Sequence, residues 1–166
     1  WRSEFAQALG QSPDAYDEHV QRIATSFKHY EDPNHLWLAD VIDGPHGVDF
    51  SLRPNQLFAT GCAHPPVTGA RAAHVLEACQ TALLTPVGLR TLPEDDSRYQ
   101  PHYQGDQAAR DAAYHMGTSW PWLLGVFIRT HLRVHQNPSA ARAILAPFTQ
   151  ELARRGVGTI SEVHDG

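Results

Sequence analysis

The chain has 166 residues, 42% hydrophobic and 19% charged, which fits one globular domain able to bury a core and argues against wholesale disorder. A net charge of −5 with no basic cluster argues against a nucleic-acid surface. No apolar run approaches the roughly 18–20 residues of a membrane span, so no membrane contact is expected and a cytoplasmic setting is the default.

In chain order, Ser12-Pro13-Asp14 carries the signals of a helix start: a hydroxyl, a proline and an acid in the first turn. Tyr16, Val20, Ile23, Phe27 and Tyr30 then recur at spacings of four and three, which makes one apolar stripe. Residues 36–42 (LWLADVI) are short and apolar and read as a brief strand or a buried extended segment, closed by a turn at Asp43-Gly44-Pro45-His46-Gly47. A short helix is expected from Leu57 and a longer one over 68–84, with Ala72, Val75, Leu76, Cys79 and Leu83 on one face. Residues 85–107 show no periodicity, and a loop of that length in a compact domain is usually functional or disordered. Its aromatic and charged content favours function. Ser119-Trp120-Pro121 has a hydroxyl just ahead of a proline, the pattern of a capped helix start. That helix runs to about His135, and another striped by Ile144, Leu145, Phe148 and Leu152 is expected to end at Gly156. Four good helices joined by long loops predict an all-α fold, either an α-bundle or an α/α toroid, with all 166 residues in one domain.

The chemistry-bearing residues are few. His131 and His135 lie four apart on one helix face, but the run HLRVH lacks the glutamate of a metalloprotease helix; no metal and no cofactor is expected. Cys62 and Cys79 have neither metal spacing nor disulfide logic and read as small core residues. There is no Gly-x-Ser-x-Gly elbow and no phosphate-binding loop. The acids Glu94, Asp95 and Asp96 read as a solvated loop, and Asp40, Asp43 and Asp49 are open between surface and site.

Two stretches suit a sugar. Residues 110–122 (RDAAYHMGTSWPW) combine flat aromatics with hydrogen-bonding groups; they are either a sugar-holding wall or a buried aromatic anchor. Arg53-Pro54-Asn55-Gln56 fans a guanidinium and two amides from a proline-set backbone, able to fork onto vicinal hydroxyls or to satisfy loop carbonyls. Glu162, in the short segment after the last helix, is either a general base or solvated surface.

Four segments, in this order, resemble the C-terminal amylo-α-1,6-glucosidase domain of glycogen debranching enzymes: 51–59 (SLRPNQLFA), 83–92 (LLTPVGLRTL), 103–125 (YQGDQAARDAAYHMGTSWPWLLG) and 158–166 (GTISEVHDG). The resemblance implies a partial (α/α)6 toroid of helical hairpins, with the active site on loops at one end. It implies hydrolysis of α-1,6-linked glucose stubs on glycogen or a related α-glucan by an inverting route. Carried over by position, Glu162 is the general base, and Arg53, Asn55, Gln56, Arg110, Asp111, Tyr114, His115, Trp120 and Trp122 form the glucose-binding wall. Met116 stands where the resemblance leads one to expect glutamine.

The general acid that the resemblance implies sits in a Trp-Met-Asp-like motif, and these 166 residues contain none. The expectation is therefore a truncated later half of a toroid, inactive alone, with exposed helix faces prone to self-association. Two other readings stay open: a non-catalytic remnant that binds α-glucan, and another (α/α)6 enzyme such as a glucoamylase-like hydrolase or a disaccharide phosphorylase.

Overall fold

The computed structural model describes residues 2–154 and 158–166. Among these the chain is predominantly helical, with seven α-helices and two small antiparallel sheets. No helix of the described residues is long and apolar enough to cross a membrane.

The packed centre is built from α3 (Leu57–Gly61), α4 (Gly69–Ala82) and α6 (Leu124–His135). Their apolar faces meet in a core that includes Leu57, Val75, Leu76, Cys79, Leu83, Leu89 and Phe127, each no more than 1% exposed. The face predicted for α4 is thus the buried one. α3 can approach α6 closely because residue 61 has no side chain: a Cβ there would lie 2.7 Å from Thr130 Oγ1 and from Val126 Cγ2. Beside it the buried hydroxyls of Thr60 and Thr130 meet at 3.0 Å. Arg133 then reaches back to donate to the carbonyls of Thr60 and Cys62 and closes the carboxyl end of α3.

At one end of this centre, β3 (Leu84–Thr85), β4 (Gly88–Arg90) and β5 (Ser119–Trp120) form an antiparallel sheet, with Leu89 opposite Trp120 and Arg90 opposite Ser119. Gly88 permits it: a Cβ would meet the Trp120 carbonyl at 2.6 Å. The chain's final segment joins the same edge, where Ser119 and His164 exchange two backbone hydrogen bonds of 2.9 Å. The sheet therefore gathers residues 84–91, 117–122 and 162–166 at one place.

The amino-terminal third packs differently. α1 (Arg2–Ala8) precedes α2 (Asp14–Phe27), and the Ser12 hydroxyl accepts the Asp14 N–H at 3.3 Å. The stripe expected on α2 is present, but Tyr16, Val20 and Ile23 on it are 36%, 58% and 63% exposed. Only Phe27, with Tyr30 just beyond the helix, reaches the core. Within residues 36–42, Leu38 and Ala39 are the buried pair, and strand pairing starts only at Val41, in β1 (Val41–Gly44) against β2 (Gly47–Asp49) around the expected turn.

Several local expectations are corrected. Ser119 is no helix cap: its backbone belongs to β5, and its buried hydroxyl pairs with that of Thr85 at 2.8 Å. The chain passes instead through a 3-10 turn, Pro121–Leu123, into α6. The helix that begins at Pro138, capped by Asn137 Oδ1 accepting from the Ala140 N–H, stops at Leu145 as α7. Pro147 lacks the N–H that would continue it, and the chain tightens to a 3-10 helix over Pro147–Ala153; the expected end at Gly156 lies outside the described residues. The stretch expected to be irregular, 85–107, contains β4 and gives way at its end to α5 (Gln107–Ala113), capped by Asp106. Near the end of the chain, His164 makes an isolated antiparallel bridge with Ser119.

Candidate active site

The site grows from the proline-led turn ahead of α3. Arg53 is extended, with φ −126° and ψ 152°, and Pro54–Gln56 then make one 3-10 turn that separates the three polar side chains. Gln56 faces inward and is 7% exposed. Its Oε1 accepts the Leu38 N–H at 3.2 Å and its Nε2 donates to the Arg53 carbonyl at 2.9 Å, so this amide holds the turn's shape. Asn55 faces outward. Arg53 crosses to the other half of the molecule, where Nη1 donates to the carbonyls of His115 at 2.6 Å and Thr91 at 3.1 Å, and Nη2 to Met116 Sδ at 3.6 Å. A thioether is a weak acceptor, so methionine at 116 gives this arginine a softer contact than an amide oxygen would.

Asp40 links the polar groups of this turn. Its Oδ1 accepts from Asn55 Nδ2 at 2.9 Å, and its Oδ2 lies 3.7 Å from Arg53 Nε. Both side chains of the ion pair are largely buried, 13% and 17% exposed, so the carboxylate fixes a guanidinium and an amide at once. Sequence reading left Asp40 open because nothing local distinguishes it from Asp43. Its place at the end of the buried Leu38-Ala39 pair was the signal.

The facing wall is made by 114–122. Trp120 is 6% exposed, and its indole N–H donates to Thr118 Oγ1 at 3.1 Å. Its one polar atom is therefore satisfied within the protein. His115 stacks on that ring with centroids 5.3 Å apart and planes 24° apart. Gly117 lets the backbone turn here, with φ +145°, a conformation other residues rarely take, and a Cβ would collide with the Tyr99 ring at 2.7 Å. Trp122 differs from Trp120: at 61% exposure it stands out from the surface.

Arg53, Pro54, Asn55, Thr91, His115, Trp120, Trp122 and Leu123 line one cavity of about 320 Å³. Five of the residues singled out in the sequence thus converge. That volume is at the small end of the roughly 300–1,000 Å³ usual for small-molecule sites, and the lining joins apolar ring faces to convergent polar groups. Arg110 and Asp111 do not line it; Arg110 turns back to donate to the Gly105 carbonyl.

Tyr114 and Glu162 do not line the cavity; Tyr114 packs against its Trp120 wall. Its ring meets Trp120 edge-on at 4.8 Å and Tyr103 at 5.4 Å. The phenol is pushed above its ordinary range, first by burial and then by the charge of the nearby Glu162 carboxylate. Glu162 is itself exposed, and its segment is held on both sides. The Ser119–His164 pair anchors the strand edge; Asp165 accepts the Tyr103 N–H at 3.1 Å and meets His102 Nδ1 at 3.1 Å; and Gly166 N–H donates to the Pro101 carbonyl at 2.9 Å.

A second polar network borders the first. Arg98 grips Asp96 at 2.7 Å and the Ser51 hydroxyl at 2.6 Å. The bonds from Arg98 hold the Asp96 carboxyl down at about 2, so Asp96 is a bound residue and not part of a solvated loop. Asp49 is lowered by the hydroxyl and N–H of Ser51. Far from the cavity, His131 is 5% exposed with its ring centroid 4.7 Å from that of exposed His135. No group of three or more His, Cys, Asp or Glu suited to a metal occurs among the described residues. Of the cysteines, Cys79 is fully buried with its thiol pushed up by burial, whereas Cys62 is only half-buried.

Against known proteins, a family model described as amylo-alpha-1,6-glucosidase matches residues 1–166. A glycogen debranching enzyme of Saccharomyces cerevisiae is 33% identical over 93 residues, which are 52% of this chain and 6% of that protein.

Proposed function

The chain belongs to the amylo-alpha-1,6-glucosidase family, and from that premise we propose that its cavity holds the terminal glucose of an α-1,6 branch stub on glycogen, with Glu162 as general base. The observation that carries this reading is the convergence of Arg53, Asn55, His115, Trp120 and Trp122 on one sugar-sized cavity. Tyr114 packs against its Trp120 wall and lies near the Glu162 carboxylate. A carboxylate so placed can deprotonate a water beside the sugar, and the ring faces of Trp120 and Trp122 suit the apolar faces of a pyranose. Arg53 and Asn55, held by Asp40, supply donors and an acceptor for its hydroxyls.

An inverting route needs an acid on the other side of the bond, about 6.5–9.5 Å from the base. Residues 1–166 contain no Trp-Met-Asp motif. We therefore propose that they form part of a ring of helical hairpins, and that alone they bind α-glucan without turning it over. The exposed Trp122 supports binding of this kind in its own right.

The test has two parts. The purified 166-residue chain is expected to bind glucose or isomaltose by calorimetry and to release no glucose from a limit dextrin. In an enzyme of this family that carries these residues together with the acid, Glu162→Gln is expected to lower glucose release by about 10²–10⁴-fold with binding retained. Turnover that survives the substitution would remove Glu162 from the role of base.

A further inference from the structure

Leaving an aromatic ring in water forgoes the stabilisation that burial would give it. Two such rings stand together, one of them on the cavity lining: Trp122 is 61% exposed, Phe58 is 40% exposed, and their centroids are 5.7 Å apart with planes at 34°. They come from different parts of the chain, α3 and the turn before α6. Phe58 was not singled out in the sequence, where it reads only as one apolar residue of a short helix.

Their position gives the pair a direction. Trp122 lines the 320 Å³ cavity, and Phe58 lines an adjoining depression of about 410 Å³ with Leu38, Asp40 and Ala59. Asn55 borders both. Phe58 lies three residues after Asn55 and is exposed with it, so the ring pair and this amide together mark the passage from one hollow to the other. The Asn55 NH₂ is engaged by Asp40 at 2.9 Å, which leaves the amide oxygen as the acceptor at that passage.

We propose that Phe58 and Trp122 form a second sugar subsite, which takes the pyranose next to the one in the cavity. The proposal rests on the reading of the cavity as a glucose site. An α-linked gluco-oligosaccharide is the occupant that fits: each ring presents a C–H face to an aromatic plane, and the hydroxyls at its rim meet Asn55 and Asp40. An apolar protein segment would offer no donor to the Asn55 amide oxygen at that rim. Asn55 borders both hollows, so a chain of sugars can pass from one to the other.

The test compares two ligands on the 166-residue chain by calorimetry: glucose, which fills the cavity alone, and isomaltose, which reaches the rings. The wild-type chain is expected to prefer isomaltose. Phe58→Ala and Phe58→Leu should shrink the isomaltose-to-glucose affinity ratio by about three- to tenfold, whereas Phe58→Tyr, which keeps the ring, should hold it. Loss of an aromatic plane is then separated from loss of packing, because leucine fills space without a flat face. A ratio unchanged in Phe58→Leu overturns the subsite and leaves the cavity reading standing; it is also the result expected if a protein segment covers these rings. Failure of the wild-type chain to bind either sugar overturns the cavity reading, and the subsite with it.

Discussion

α2 and α6 are both amphipathic helices that bear one apolar stripe, and they have opposite fates. In α6 the stripe is the core: Leu124, Val126 and Phe127 are at most 4% exposed. In α2 the stripe faces outward, and Val20 and Ile23 are more than half exposed along a groove they share with Tyr16 and Phe27. The difference teaches that periodicity says which face of a helix is apolar and nothing about what that face meets. α6 is met from two sides, by α3 across Gly61 and by α4.

Substitutions in the two helices should separate them. The largest effect is expected on the buried side: Phe127→Ala removes a ring that is 0% exposed and should cost about 3–5 kcal/mol in a urea melt. A smaller effect belongs to His131, also in α6. Burial, and then the neighbouring His135, push its pKa below 6.5. Since the folded pKa lies below the unfolded one, stability is level above about pH 6.5 and falls as the pH drops below it, where the unfolded chain takes up a proton that the folded chain resists. Melts between pH 7.5 and 5 should show this slope, and His131→Leu should flatten it; an equal slope in both would assign the acid sensitivity elsewhere. The smallest effect is expected on α2, where Ile23→Ala should change stability by no more than about 0.5 kcal/mol. A loss as large as that of Phe127→Ala would mean that the outer face of α2 is covered in solution, and the contrast between the two helices would disappear.

The legible parts of this chain were those governed by neighbours in sequence. Asn137-Pro138 has the residue types of a capped helix start, and the structure has that cap. The spacing of Ala72, Val75, Leu76 and Cys79 named the buried face of α4. Arg53-Pro54-Asn55-Gln56 announced a turn bristling with polar groups, though not that Gln56 turns inward while Asn55 turns out. The three-stranded sheet was illegible because strands of two and three residues are too short to carry a period. Ser119 shows the cost of this. Its place before Trp120-Pro121 satisfies every local rule for a cap, yet pairing with Arg90 and His164 claims its backbone and Thr85 claims its hydroxyl.

The sequence by itself determined the helical class, the apolar faces of the helices, the polar turn and, through four ordered motifs, the family. Tertiary structure alone decided which of the candidate residues meet: Arg53 reaches the carbonyl of His115, 62 positions away, and Glu162 comes beside Tyr114 because the last segment pairs with β5. The reason is physical. Propensity, capping and periodicity act within a few residues along the chain, whereas a cavity forms where distant elements bury their apolar surfaces together and leave ring faces and a few fixed polar groups at the seam.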